Sequence, residues 1–171
     1  SNKILKNLYE TGFFENVEVK YEKNILIINL KEYPIINQLV IIGEKSQKFK
    51  DEIIKIINSK RKKSLNKSNI AKDVDIIKNL YSSLGYNFAK VETKLKKINE
   101  NNYDLLFEID RGEKTKISKI NFIGNNNVRN TRLKNIIASE EDKFWKVISK
   151  NTVLSKNLIN FDLRLLTNYY K

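Results

Sequence analysis

Two stretches of this chain begin with the same four residues, and each continues through a glycine and an aromatic residue into an alternating run. KNLYETGFFENVEV starts at Lys6, and KNLYSSLGYNFAKV starts at Lys78. A third, looser copy of the helical part, LRLLTNYY, ends at Tyr170. Recurrence of one segment at intervals of tens of residues is typical of repeat proteins. We therefore predict that the chain is built from copies of one supersecondary unit.

A second pair of matching segments ends in glycine. INQLVIIGEK (36–45) matches ISKINFIGNN (117–126), which aligns Gly43 with Gly124. The apolar, β-branched residues before each glycine predict a strand. We expect both glycines to supply a turn geometry that only glycine tolerates, without a direct role in binding.

One unit can be followed from start to end. A strand at 36–42 precedes a helix whose apolar residues recur at helical spacing from Phe49 to Ile57. Ser68 is predicted to cap a second helix, which ends at Gly85. Two strands joined by a polar turn follow, so the unit has the order β-α-α-β-β.

The last two strands of this unit, 88–96 and 103–109, differ in pattern. The strand at 103–109 is almost continuously apolar, as a central strand should be. The strand at 88–96 alternates, with Ala89, Val91, Thr93 and Leu95 on one face and Phe88, Lys90, Glu92, Lys94 and Lys96 on a charged outer face. We predict an α+β fold, in which each repeat is a three-stranded mixed sheet covered by two antiparallel helices. Its third strand lies in the middle, parallel to the first, and its second strand lies at an edge.

The alignment of the copies gives three segments. Residues 1–33 are predicted to be the C-terminal part of a first repeat, with a helix and a hairpin whose edge strand is 15–22. Residues 34–111 form a complete second repeat. Residues 112–171 form the N-terminal part of a third, with a strand at 116–123, two helices and no hairpin. We expect the strand at 116–123 to pair with another molecule, or the third repeat to be only partly packed. At the other end of the chain, Ser1 and Asn2 are compatible with a tag remnant.

Composition removes several classes of enzyme. The chain has no cysteine and no histidine, which excludes thiol nucleophiles, histidine bases and Cys/His zinc sites. Its five glycines form no phosphate-binding loop, and no apolar run approaches the roughly 18 residues of a membrane helix. We predict no cofactor and no metal site. The carboxylates that could serve a hydrolase are better interpreted as solvated or turn charges: Glu108, Asp110, Glu140, Glu141 and Asp142.

The net charge of +13 suggests a nucleic-acid partner at first sight. Most of this charge is lysine, however, and it is scattered along the chain, so we expect no nucleic acid to bind; a basic RNA-binding α+β module stays as the alternative of another class. The basic loop KRKK (60–63) is interpreted as a solvated loop in preference to a contact with anionic lipid.

The β-α-α-β-β unit in tandem resembles the polypeptide-transport-associated (POTRA) domain. The resemblance rests on LYETGFFENVEV, on LYSSLGYNFAKV and on the junction EIDRGEKTKISKINFIGNN. The segment EEDKFWKVISKNTVLSKNLINFDLRLLTNYY is similar to the third POTRA repeat of outer-membrane assembly factors, which carries an aromatic-rich loop around the position of Trp145. One departure is Lys114, because the family often has proline at this junction.

The resemblance implies a non-enzymatic scaffold on the periplasmic face of the outer membrane of a Gram-negative bacterium. It implies three partners: unfolded outer-membrane β-barrel proteins received by β-augmentation, assembly lipoproteins, and the protein's own C-terminal membrane barrel. The POTRA region of a two-partner secretion or TamA-like transporter is the alternative. The candidate client-binding edge strand is Phe88, Ala89, Lys90, Val91, Glu92, Thr93, Lys94 and Leu95. Trp145 is a possible partner contact, although a buried anchor of its loop is the favoured interpretation.

Overall fold

A computed structural model of the protein describes residues 2–143 and 150–171. The chain divides into two compact units. The first contains the residues up to 77 together with 91–109, and the second contains 78–90 with 110–171. Trp145 lies outside the described residues.

The chain begins with a helix followed by a β-hairpin: α1 (Asn2–Glu10), β1 (Phe14–Glu22) and β2 (Ile25–Glu32). The two strands are antiparallel, and Lys23 and Asn24 between them have φ angles of 48° and 63°. Two successive positive φ angles are typical of a type I′ turn, whose twist matches that of the strands. Tyr9 of the KNLY segment accepts a 3.1 Å hydrogen bond from the backbone N–H of Val17, which fastens the helix to β1.

The predicted β-α-α-β-β unit follows. Its elements are β3 (Ile35–Ile42), α2 (Gln47–Ile56), α3 (Lys67–Ser83), β4 (Lys90–Lys97) and β5 (Asn102–Asp110). The strand order is β3-β5-β4, and β3 is parallel to β5. The sequence-based prediction of a central third strand and an edge second strand is confirmed.

Apolar side chains on the helix-covered face of the sheet form the core. Strand β3 buries Ile36 and Ile41, and β5 buries Leu105, Phe107 and Ile109. On α3, Ile70, Ile77 and Tyr81 are buried, whereas Leu84, which follows the helix, is 43% exposed. Burial of each large apolar side chain contributes about 1.5–3 kcal/mol, so this face holds the unit together.

The start of α3 differs from the prediction. The helix begins at Lys67, and the side-chain oxygen of Asn66 accepts hydrogen bonds from the backbone N–H groups of Ser68 and Asn69 at 2.8 and 3.4 Å. Asn66 is therefore the cap in place of Ser68. Asparagine and serine cap helices about equally well, and local preference alone could not separate two candidates this close together.

The second unit contains α4 (Asn130–Ile136), a short 3-10 turn (Lys150–Thr152) and α5 (Lys156–Tyr170). Two helices were predicted between 112 and 171, and both are present. Ser155 caps α5 by accepting a 3.2 Å hydrogen bond from the backbone N–H of Leu158. Leu133 of α4 is buried, but no residue of α5 is.

The predicted strand at 116–123 is wrong. Lys116 alone forms an antiparallel bridge, with Val153, and the next residues have no regular structure. A strand needs a neighbour to accept its backbone hydrogen bonds, and in the β-α-α-β-β unit β5 fills that role for β3. The described residues of the second unit contain no counterpart of β5.

Candidate strand-addition edge

The two outer edges of the three-stranded sheet are not equivalent. The loop after α2 covers the first half of β3: Ile36 donates to the carbonyl of Lys63 at 2.9 Å and accepts from the N–H of Lys62 at 2.7 Å. Ser64 forms an antiparallel bridge with Ile35. At this end, β3 has no free backbone edge for another strand.

The covering loop is the basic segment 60–63. The ammonium group of Lys60 donates to the carbonyl of Ile54 and, at 3.1 Å, to that of Lys55, near the end of α2. The guanidinium of Arg61 donates to the carbonyl of Asn37 at 3.2 Å. The sequence predicted a solvated loop; its side chains beyond Lys60 are exposed, but its backbone is part of the sheet edge.

Strand β4 forms the opposite edge. In the described part of the chain no further strand pairs with it, so its outward N–H and C=O groups line a free edge. Val91 is its buried side chain, at 7% exposure, and the other seven residues are exposed. Six of the eight predicted edge residues lie here, from Lys90 to Leu95.

The first two predicted edge residues, Phe88 and Ala89, lie outside the strand. They belong to a turn that begins at Gly85, where φ is +94°, and Ala89 donates to the carbonyl of Tyr86 at 3.3 Å. The Asn87 side chain donates to the carbonyl of Leu154 at 2.8 Å. The alternation of side chains does not reveal this turn, which delays the strand by two residues. Phe88 is 78% exposed, so its ring is not part of the packed core.

The charged residues of β4 differ in their pairing. Lys94 lies 2.8 Å from a carboxylate oxygen of Glu108 on the neighbouring strand β5. The hydrogen bond that the Lys94 ammonium group donates to Glu108 raises the pKa of Lys94 above its ordinary value. Among the described residues no ion pair involves Lys90 or Lys96. Lys97, the last residue of β4, is likewise exposed and has no ion pair among the described residues, so three cations of this strand are available to a ligand.

A cleft of about 940 Å³ lies beside the end of β4, within the first unit. Leu95, which is 44% exposed, is part of its wall. Its apolar lining includes Leu30, Ile35, Leu65 and Tyr103, and its acidic lining consists of Glu15, Glu32 and Glu100. The sequence analysis missed this cleft, because its walls come from segments that are far apart along the chain.

The predicted edge at 15–22 corresponds to β1. Strand β1 pairs with β2 alone in the described chain, so this two-stranded sheet has two open edges. Val17 is buried, but Tyr21, which has the same parity along the strand, is 70% exposed. Apolar residues of β2 are also exposed, with Ile25 at 61% and Leu26 at 52%.

Basic groups or the backbone bind four of the candidate carboxylates of a hydrolase. Glu108 pairs with Lys94, Asp142 pairs with Lys116 at 3.0 Å, and Asp110 accepts from the N–H of Gly112 at 3.1 Å. Glu141 pairs with Lys134 at 2.5 Å and accepts from the N–H of Ile120 at 3.0 Å. These two bonds lower the pKa of Glu141, the opposite of what a general acid requires. The arrangement gives the hydrolase alternative no support.

Within 2–143 and 150–171, no group of three or more side chains could hold a metal ion. No helix in the same ranges is long and apolar enough to cross a membrane.

The chain resembles known proteins both locally and over most of its length. The POTRA family model, described as a surface antigen variable number repeat, matches residues 34–112. The outer membrane protein assembly factor BamA of Neisseria meningitidis is 27% identical over 171 residues, which cover 98% of this chain and 21% of that protein. BamA of Buchnera aphidicola is also 27% identical, over 97% of this chain and 27% of that protein. The chain thus spans about a fifth to a quarter of these relatives.

A solved structure has the same fold. It contains POTRA domains 3–5 of Haemophilus influenzae BamA and superposes with a TM-score of 0.54 at 14% identity, covering 91% of this chain and 61% of that one. At this level of identity the likeness concerns the fold alone.

Proposed function

We propose that the chain is the periplasmic scaffold of an outer-membrane β-barrel assembly machine, because residues 34–112 match the POTRA family model. The relatives that align with nearly the whole chain are outer membrane protein assembly factors. The scaffold receives unfolded outer-membrane proteins, docks assembly lipoproteins and is joined to a membrane barrel. In this proposal residues 1–33 and 112–171 belong to the preceding and following POTRA repeats.

The observation that carries the proposal is the free edge of β4. An extended client can add a strand there through main-chain hydrogen bonds, which depend little on the client sequence. The other edge of the same sheet is partly covered by residues 62–65. This asymmetry directs the incoming strand to residues 90–97. Exposed lysines on β4 limit uncontrolled pairing between copies of the protein.

The proposal is tested by NMR titration with a peptide from a transmembrane strand of an outer-membrane porin. We expect chemical-shift changes and slowed amide exchange at residues 90–97, and little change at 35–42. A peptide of the same sequence with alternate backbone nitrogens methylated is the matched control, since it keeps the side chains but loses half of its N–H donors.

Equal binding of the methylated peptide would show that main-chain pairing is not the mode of recognition. Changes confined to α2 and α3 would place the client on the helical face. Either result would overturn the assignment of β4 as the receiving edge.

A further inference from the structure

We propose that β4 discriminates among added strands, favouring amphipathic strands that place acidic side chains opposite Lys90 and Lys96 and apolar side chains on the other face. This inference rests on the proposed function and names its preferred substrate class. It depends on three features of the edge: which way the side chains of β4 face, which of its charges are unpaired, and what lies beside its end.

The two faces of β4 follow from its neighbours. Val91 is buried, so it lies on the helix-covered face together with Thr93, Leu95 and, at the end of the strand, Lys97, which share its parity. Lys94 pairs with Glu108, which lies between the buried residues Phe107 and Ile109 of β5 and thus faces the open side. The lysines at positions 90 and 96 therefore also face the open side. Residues of an added strand would alternate between these two environments.

The open side carries an unbalanced charge next to the free edge. Its β4 side chains are Lys90, Glu92, Lys94 and Lys96, and Glu108 neutralises Lys94 from the opposite direction. Lys90 and Lys96 have no ion pair in the described part of the chain. Opposite charges in directly facing cross-strand positions attract, and like charges repel. An acidic residue opposite each free lysine is favoured, and a basic residue there is disfavoured.

The helix-covered side favours apolar residues in the same strand. Leu95 is 44% exposed and forms part of the wall of the 940 Å³ cleft. An added strand that extends along β4 reaches this cleft at the end near residue 95. An apolar side chain placed there covers Leu95 and lies near Leu30, Ile35 and Leu65, which also line the cleft. The preferred partner of β4 is therefore a strand with alternating apolar and acidic residues.

The test uses three peptides that share the same alternating apolar residues and carry glutamate, glutamine or lysine at every polar position. Binding to the whole chain is measured by NMR or calorimetry at low ionic strength. We expect the acidic peptide to bind roughly threefold to tenfold more tightly than the neutral one, and the basic peptide to bind more weakly. Added salt should shrink this difference, because the lysines are solvent-exposed.

Two double variants distinguish the effect of the lysines on β4 from the effect of the net charge of the protein. Lys90→Glu with Lys96→Glu should reverse the order of the acidic and basic peptides. Lys72→Glu with Lys78→Glu changes the net charge by the same amount on exposed positions of α3 and should preserve the wild-type order.

The outcomes distinguish this inference from the proposed function. Failure of all three peptides to bind would overturn strand addition itself. Equal binding of all three would overturn the charge preference and leave strand addition standing. A preference that the α3 variant loses as fully as the β4 variant would show a general attraction to a basic protein, which also overturns the inference.

Discussion

Asp73 accepts a 2.8 Å hydrogen bond from the backbone N–H of Ser59, in the turn that follows α2. Its other carboxylate oxygen accepts from the N–H of Asn58 at 2.5 Å. Asp162 in α5 repeats the arrangement, accepting from the N–H groups of Ala138 and Ser139 at 2.7 and 3.2 Å. In both units, a carboxylate on the second helix binds two consecutive amides just after the first helix ends.

The residue that follows α2 and the residue that follows α4 have the same backbone conformation. Ile57 has φ and ψ of −74° and 158°, and Ile137 has −76° and 156°. The aligned segments IAKDVDIIKNLY and INFDLRLLTNYY place Asp73 and Asp162 at the same position. The aspartate that the two aligned helices share is the sequence signal for these hydrogen bonds. It does not predict their partners, because the partners are backbone N–H groups.

Replacement of Asp73 by alanine should destabilise the fold by about 2–4 kcal/mol, because it removes charge-assisted hydrogen bonds and leaves the buried N–H of Ser59 without its partner. Asp73 is 0% exposed. Asp162→Ala is the matched control: its carboxylate is only partly buried, so a smaller loss is expected. Urea unfolding measures the free energy of unfolding of both variants. Equal losses of stability would show that burial does not set the strength of the aspartate–backbone hydrogen bonds.

The two aligned glycines should respond differently to alanine. Both have positive φ, +90° at Gly43 and +84° at Gly124, which costs alanine about 1–2 kcal/mol. At Gly43 a Cβ atom would also lie 1.9 Å from the carbonyl oxygen of Ile109, whereas at Gly124 it would meet nothing within 4 Å. We expect Gly43→Ala to cost at least about 3 kcal/mol, or to prevent folding, and Gly124→Ala to cost only the conformational part. Thermal unfolding compares the stability of the two variants. A larger loss of stability in Gly124→Ala would contradict the role assigned to the close approach of Ile109 at Gly43.

The Asn87 side chain should stabilise the strand-like pairing of the second unit. It donates to the carbonyl of Leu154, whose own N–H donates to Thr115 at 2.8 Å. Loss of one such bond in Asn87→Ala is worth about 1 kcal/mol, so amide exchange at residues 115 and 154 should become roughly fivefold faster. Phe88→Ala alters an exposed neighbour and is the control. Unchanged exchange in Asn87→Ala would mean that the bond carries no stability.

Glu141 should make the second unit sensitive to acid. Its hydrogen bonds with Lys134 and with the N–H of Ile120 lower its pKa, so its stabilising effect is complete above the unfolded-state pKa and is lost as the pH falls through the lower folded-state pKa. Glu141→Gln should therefore be less stable than the wild type at neutral pH, and the difference should vanish in acid. Denaturation midpoints across a pH series measure this effect, with the exposed Glu113→Gln as control. A difference that persists at low pH would assign the effect to packing.

The architecture of the complete repeat followed from local patterns. Helical spacing predicted both helices, and alternation distinguished the edge strand β4 from the apolar central strand β5. The predictions that were wrong concern the exact residues at which α3 and β4 begin. Asn66 rather than Ser68 caps α3, and the turn at Phe88 delays β4, since competing local signals differ by too little free energy for the sequence to rank them.

The amino-acid sequence by itself determined the β-α-α-β-β order of the elements from β3 to β5 and the edge position of β4, because these depend on the periodicity of apolar residues and on chain direction. Only the tertiary structure decided that the loop 60–63 closes part of the edge of β3, that residues 117–123 form no strand, and that Asp73 binds the amides of a distant turn. The physical reason is common to all three. Backbone N–H and C=O groups are the same at every residue, so their partners are chosen by which segments the folded core brings together.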